Sequence, residues 1–298
     1  MGVLGAAQSG AVHVPVLSFD PALVLELLES ERANVFCGVP TMMITMLEHP
    51  DFARRDLSAL RCAVAGGSPV PPAMVRRVEE RFGVRLSIVF GTTECSPLLT
   101  QVELDDDEPD RAETLGRLLP QTEVQVSDPT TGDPVPVGQV SELCARGYLV
   151  MRGYHQAPDA TAAAIDDEGW YHTGDLASMD SRGFLRIEGR VKDMIIRGAE
   201  NIYPREIEDA LFSHPGVAEV AVVGVPDDRW GEVVAAFVRP TPGGAAPTPE
   251  ELRAHCRDRM APYKTPMYWS FIESFPLTPS GKIQKFRLRE GFTPPGRS

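Results

Sequence analysis

The sequence predicts an α/β protein in three parts: a partial doubly wound sheet over residues 1–112, a small β-rich subdomain over 113–191, and a compact α+β C-terminal domain over 192–298. Three observations carry this. Up to residue 104, helix and strand signals alternate with short connections, the pattern of a parallel sheet. From Leu115 to Ile187, short β-rich runs are broken by turn pairs such as Asp133-Pro134, Glu168-Gly169 and Arg182-Gly183, as in a small antiparallel sheet or barrel. Beyond Lys192, helices and strands mix again around a Pro/Gly-rich turn at Pro240–Pro249.

In chain order, Asp20-Pro21 is a cap and first turn for a helix whose apolar positions are Leu23, Val24, Leu27 and Leu28. Asn34–Val39 reads as a buried strand and Pro40–Leu47 as a helix. Arg61–Ala65 is a strand ending in a Gly-Gly turn, followed by a helix over Pro71–Phe82 and a strand over Arg85–Phe90. The middle part offers strands at Glu123–Ser127, Gln139–Ala145 and Phe184–Ile187. The last part offers a helix at Pro204–Ser213, strands at Val217–Val225 and Val233–Val238, a helix at Glu250–Met260 and a strand at Met267–Ile272.

Composition narrows the function. A net charge of −13 argues against nucleic acid or an anionic membrane as the main partner. No apolar run is long enough for a membrane helix, and the first ten residues lack a signal-peptide pattern, so a cytoplasmic protein is expected. Five scattered cysteines without metal-ligand spacing read as reduced thiols. The acidic run Asp105, Asp106, Asp107, Glu108 and Asp110 reads as a solvated loop rather than a metal cluster. Of 29 basic residues only Lys192, Lys264, Lys282 and Lys285 are lysine, all within the C-terminal part. An arginine-biased chain keeps lysine where a compact ammonium must reach a confined point.

Four strings carry candidate chemistry. Gly66, Gly67 and Ser68 follow a strand, where glycines let backbone approach a flat or phosphorylated ligand; a plain tight turn fits equally. Phe90, Gly91, Thr92, Thr93 and Glu94 combine an aromatic face, two hydroxyls and a carboxylate suited to a base, a phosphate and Mg²⁺, or else cap the next segment. In Trp170–Asp175, the acid Asp175 on a tight turn suits ribose hydroxyls, and His172 reads as a packed or orienting histidine. Arg190 with Lys192, and Lys282 within Pro279-Ser280-Gly281-Lys282, are cations on glycine-marked segments that can clamp phosphate and carboxylate charge.

Taken in order, GGSPV, FGTTE, YHTGD, GRVKDMIIRGAENIYPREIE and PLTPSGKIQK resemble the signature series of the adenylate-forming (AMP-binding) superfamily. The long fourth string and the IQKFRLRE ending are most similar to fatty- or aryl-acid CoA ligases. The resemblance implies that Gly66, Gly67 and Ser68 line the adenine pocket, with Phe90 against the base and Gly91 and Thr92 alongside. It implies that Thr93 meets the α-phosphate, Glu94 holds Mg²⁺, and Asp175 with Arg190 grips the ribose. Lys192 would be the hinge of a lid, and Lys282 the catalytic lysine of adenylation. Arg197, Gly198 and Ala199 would face the pantetheine of coenzyme A after the lid turns. The implied reaction joins a carboxylic acid to ATP as acyl-AMP, then to CoA as a thioester.

Two departures temper the resemblance. The Ser/Thr/Gly-rich loop that grips the β- and γ-phosphates in the family has no counterpart here, and the chain opens as though partway through the large domain, at an internal helix and strand. The expectation is an N-terminally truncated ligase, its missing half either separately encoded or lost, with residues 1–110 marginal alone and the lid folding independently. Ala199 stands where the family has a second glycine. The alternatives are a non-catalytic nucleotide- or CoA-binding remnant and an adenylation domain serving a carrier protein.

Overall fold

The computed structural model describes residues 2–278 and 281–293; Pro279 and Ser280 of the lysine motif lie outside the described residues. The architecture is α/β. Its first sheet has the order β1 (Val35–Gly38), β2 (Cys62–Gly66), β3 (Arg85–Phe90), β4 (Thr100–Gln101) and β5 (Arg117–Leu118). The first three strands are parallel, and the last two are short antiparallel additions. Around them run α1 (Gly2–Ser9), α2 (Pro21–Ser30), α3 (Pro40–Glu48), α4 (Pro72–Phe82) and α5 (Asp110–Glu113).

Local chemistry sets these elements. The Asp20 carboxylate accepts the Leu23 N–H at 2.8 Å, and Pro21 begins α2 where its missing donor costs nothing. The buried stripe of α2 is Val24, Leu25 and Leu28, while Leu23 is exposed, so the apolar face lies one residue away from the expected one. The strand expected to be buried at 34–39 is instead the sheet edge: Phe36 faces inward and Val35 and Cys37 are exposed. The opening helix forms as α1, but the strand expected after it does not, and residues 11–16 are irregular. The acidic run is a loop with Asp105, Asp107 and Glu108 exposed, as expected, but it is also tied down by ion pairs that the sequence did not show. Asp106 meets Arg117 at 3.0 Å, Glu108 meets Arg76 at 2.5 Å, and Asp110 meets Arg182 at 2.6 Å.

A second, antiparallel sheet is formed by β6 (Thr122–Ser127), β7 (Ser141–Gly147), β8 (Tyr171–Met179) and β9 (Leu185–Arg190), with α6 (Pro158–Ala164) between β7 and β8. Asp175 therefore sits within a long strand, beside a break in its pairing, and not on the tight turn expected of it. One continuous core joins the two sheets, from Leu25, Met43, Met74 and Leu86 to Leu143, Ala177 and Leu185.

The C-terminal sheet runs β11 (Glu200–Ile202), β10 (Ile195–Arg197), β13 (Gly231–Pro240), β12 (Val217–Asp227), with β14 (Tyr268–Phe271) parallel to β13. Helices α7 (Pro204–Phe212) and α8 (Pro249–Arg257) cover one face with Ile207, Leu211, Leu252 and Cys256. The other face is closed by Phe275 and by Leu288 of α9 (Lys285–Glu290). With both faces covered, β12 reads as an almost unbroken apolar run. A reciprocal capping box, Thr248 with Glu251, starts α8.

Candidate active site

The site begins where the parallel strands end. Gly66 closes β2 opposite Val89, and a Cβ there would lie 2.6 Å from the Val89 carbonyl oxygen, so only glycine lets the two strand ends approach. Gly67 follows at φ +78°, turning the chain outward with Ser68 half-buried behind it. Phe90 is half-buried against the core. The chain then tightens at Gly91, where any Cβ would collide with the Pro97 carbonyl, into a 3₁₀ turn over Thr93–Cys95.

That turn presents Glu94. Its Oε1 accepts from the Tyr154 hydroxyl at 2.8 Å, and its carbonyl accepts from the Met151 N–H at 2.7 Å. Burial pushes its carboxyl up, but bonds from its own N–H and from Tyr154, with Thr92 and Tyr171 alongside, outweigh that and hold it below the usual range. Glu94 is thus kept anionic. The Thr92 hydroxyl is buried beside it. An anionic carboxylate next to a hydroxyl fits a magnesium-bound phosphate. Thr93 itself is exposed.

β8 links this turn to a second group: it starts with Tyr171 against Glu94 and reaches Asp175 four residues on. Asp175 is buried at its side chain and accepts from Arg190 Nε at 2.9 Å, across the β8–β9 pair that sets the two residues opposite each other. Burial raises the Asp175 carboxyl, and Arg190 opposes the rise. Lys192 and Asp193 follow in a 3₁₀ turn, with Lys192 exposed.

The third group comes from the C-terminal domain. The Thr41 hydroxyl donates to the Gly281 carbonyl at 3.1 Å, holding that segment to the start of α3. From there the Lys282 side chain crosses to the glycine turn, its Cε 3.8 Å from where a Gly67 Cβ would lie. Arg205 of α7 donates to the Val70 carbonyl at 3.3 Å on the same loop.

The family models match in two blocks: the AMP-binding enzyme model over residues 1–155, and the AMP-binding enzyme C-terminal domain over 206–282. The chain belongs to the AMP-binding enzyme family. It is 49% identical over 291 residues to the putative acyl-CoA synthetase YngI of Bacillus subtilis, covering 97% of this chain and 53% of that protein. To the mitochondrial medium-chain acyl-CoA ligase ACSF2 of Rattus norvegicus it is 42% identical, covering 97% of this chain and 48% of that one. The amide bond synthetase McbA from Marinactinospora thermotolerans superposes with a TM-score of 0.86 at 39% identity, over 93% of this chain and 57% of McbA. The chain spans about half the length of the relatives it matches.

As an AMP-binding enzyme chain, it gathers Gly66, Gly67, Ser68, Phe90, Glu94 and Lys282 at one end of the first sheet, with the Asp175–Arg190 pair on the neighbouring sheet. Arg197, Gly198 and Ala199 lie elsewhere, in the C-terminal domain. The Arg197 guanidinium stacks 4.7 Å over the Trp230 ring, and Arg197 lines a cavity of about 200 Å³ together with Arg253, Arg257 and Tyr263. Sequence reasoning missed Tyr154, Tyr171, Arg205, Arg253 and Arg257. The two arginines of α8 had a signal, their four-residue spacing, which puts both on one helix face. Among the described residues no helix is long and apolar enough to cross a membrane.

Proposed function

We propose that the chain is the nucleotide-gripping and lid half of an acid–CoA ligase, which adenylates a fatty acid with ATP and then passes the acyl group to coenzyme A. The reading rests on one relationship, the reach of Lys282 from the C-terminal domain to Gly67 at the strand ends, with the anionic Glu94 on the turn after the adjacent strand β3.

Each residue then has a task. Gly66, Gly67 and Ser68 receive the adenine, with Phe90 at its face and Gly91 and Thr92 behind it. Asp175, oriented by Arg190, accepts from the ribose hydroxyls. Thr93 donates to the α-phosphate, and Glu94 is the ligand for Mg²⁺, which when bound neutralises phosphate charge. Lys282 brings its ammonium to the point where the acid's carboxylate meets the α-phosphate, so charge gathering in the transition state finds a fixed cation. Turning about Lys192 withdraws Lys282 and brings forward the 197–199 loop. The arginine-lined cavity beside that loop supplies positive charge for the phosphates of CoA. The β- and γ-phosphates call for a further half, supplied in the same or another chain; the exposed Val12 and Leu17 and the open edge of β1 are the surface it would cover.

The test is acid-dependent ATP–pyrophosphate exchange, run on the chain alone and with the N-terminal half of a related ligase added. Exchange that Lys282→Ala abolishes, while thioester formation from preformed acyl-AMP persists, is the expected result. Exchange indifferent to Lys282→Ala sinks the assignment. Silence in both mixtures makes the chain a remnant.

A further inference from the structure

Strands β6, β7 and β8 place four polar side chains on one face of the second sheet. Ser127 pairs with Glu142, and Cys144 pairs with His172. Glu142 and Cys144, two apart on β7, point to the same side. The result is a tight cluster: His172 Nδ1 lies 2.9 Å from Glu142 Oε2 and 3.5 Å from Cys144 Sγ. The three donor atoms all fall within 4.8 Å of one another.

Hydrogen bonding within the cluster cannot serve the ring, the carboxylate and the thiol together. Nδ1 carries either a proton or a lone pair. With the proton it donates to Glu142, and the thiol has no acceptor on the ring. Without it, Nδ1 accepts from Cys144, and its lone pair faces a carboxylate. A second observation concerns Ser127. It is 1% exposed, and its hydroxyl is buried without a well-formed hydrogen bond beside the Cys144 sulfur, on the strand paired with β7.

We propose that Glu142, Cys144 and His172 form a binding site for a borderline-soft divalent cation of the zinc class. Thiolate, imidazole and carboxylate are the donors such ions prefer, whereas Mg²⁺ takes oxygen alone. Bonds of about 2.0 Å to nitrogen and about 2.3 Å to sulfur span a tetrahedral edge close to the separation between Nδ1 and Sγ. Glu142 needs to withdraw only by a few tenths of an ångström. Supporting contacts are in place: Gly174 N–H donates to the free Glu142 Oε1 at 3.1 Å, Asp166 stands 3.6 Å from His172 Nε2, and Ser127 attends the sulfur. The His172 side chain is 29% exposed, which provides entry and room for a water as fourth ligand. On binding, Cys144 releases its proton to solvent. The site is separate from Glu94 and does not depend on the nucleotide reading.

The test is titration of the reduced, chelator-stripped full chain with Co²⁺ as a spectroscopic substitute. One equivalent should give tetrahedral d–d bands and a thiolate-to-cobalt charge-transfer band. Zn²⁺ should displace it and Mg²⁺ should not. Cys144→Ser should remove the charge-transfer band, and Cys37→Ser should keep it. His172→Asn and Ser127→Ala should each weaken binding by about tenfold or more. Absence of a band at one equivalent overturns the proposal, as does a band that survives Cys144→Ser and so belongs to an adventitious thiol. Should Cys144→Ser fail to fold, His172→Asn decides, since unchanged affinity there overturns it equally.

Discussion

Arg239, near the end of β13, shares its guanidinium between Glu219 of its own sheet at 2.5 Å and Glu48 at the end of α3 at 3.2 Å. All three side chains are largely buried, so the C-terminal domain is fastened to the first sheet's helices by a charge cluster as well as by Thr41–Gly281. Glu48→Gln keeps the shape and removes one charge. Because Arg239 retains Glu219, the expected loss is about 1–3 kcal/mol, below that of a stranded buried charge. Calorimetry should show the lid transition moving to lower temperature while the body transition stays put. Coincident shifts of both would mean the pair stabilises the whole chain rather than the docking.

The Asp175–Arg190 pair gives a second prediction, which rests on the ribose assignment. Asp175→Asn removes a charged acceptor worth about 1.5–3 kcal/mol. AMP affinity, measured by calorimetric titration, should fall by about tenfold or more, and the preference for AMP over 2′-deoxy-AMP should vanish. A variant that binds both nucleotides as the parent chain does would remove Asp175 from the ribose.

What the sequence made legible was whatever is local. Asp20-Pro21 capped a helix, β3 ran from Arg85 to Phe90 as read, and the glycine, Glu94 and Lys282 strings each lay within a few residues. Three failures have a common cause. The burial of Val35 and Cys37 depends on whether a strand pairs beside β1. The ion pairing of the acidic run depends on arginines from α4, β5 and the turn before β9. The Glu142–Cys144–His172 cluster depends on strand register across 28 residues, with a break in pairing that no periodicity announces. Contacts made across the fold were invisible to a reading that runs along the chain.

Core continuity predicts which pieces stand alone. The core of the first 110 residues continues through Leu143, Ala145 and Leu185 of the second sheet, whereas the C-terminal domain has its own two-sided core. Residues 193–298 expressed alone should unfold cooperatively, and residues 1–110 should not. Within the lid, Leu211 is fully buried, so Leu211→Ala should cost about 2–5 kcal/mol in denaturant unfolding. A cooperative, monomeric 1–110 fragment would refute the shared core.

The last prediction concerns pH. Asp209 of α7 is pushed up to about 6, chiefly by burial; Arg205 at 3.4 Å opposes this, while the charges of Glu208 and Glu188 add to it. Its Oδ1 is buried without a hydrogen-bond partner. The folded carboxyl therefore holds its proton more tightly than the unfolded one, whose pKa is near 3.8. Between those values the folded chain binds more protons, so this group's contribution to stability falls as pH rises through the window and is constant above it. Asp209→Asn should remove that slope, leaving the variant more stable than the parent at pH 7.5 and nearly equal to it at pH 4. Melting temperatures across the range decide it: parallel curves for the two proteins would show that Asp209 titrates normally.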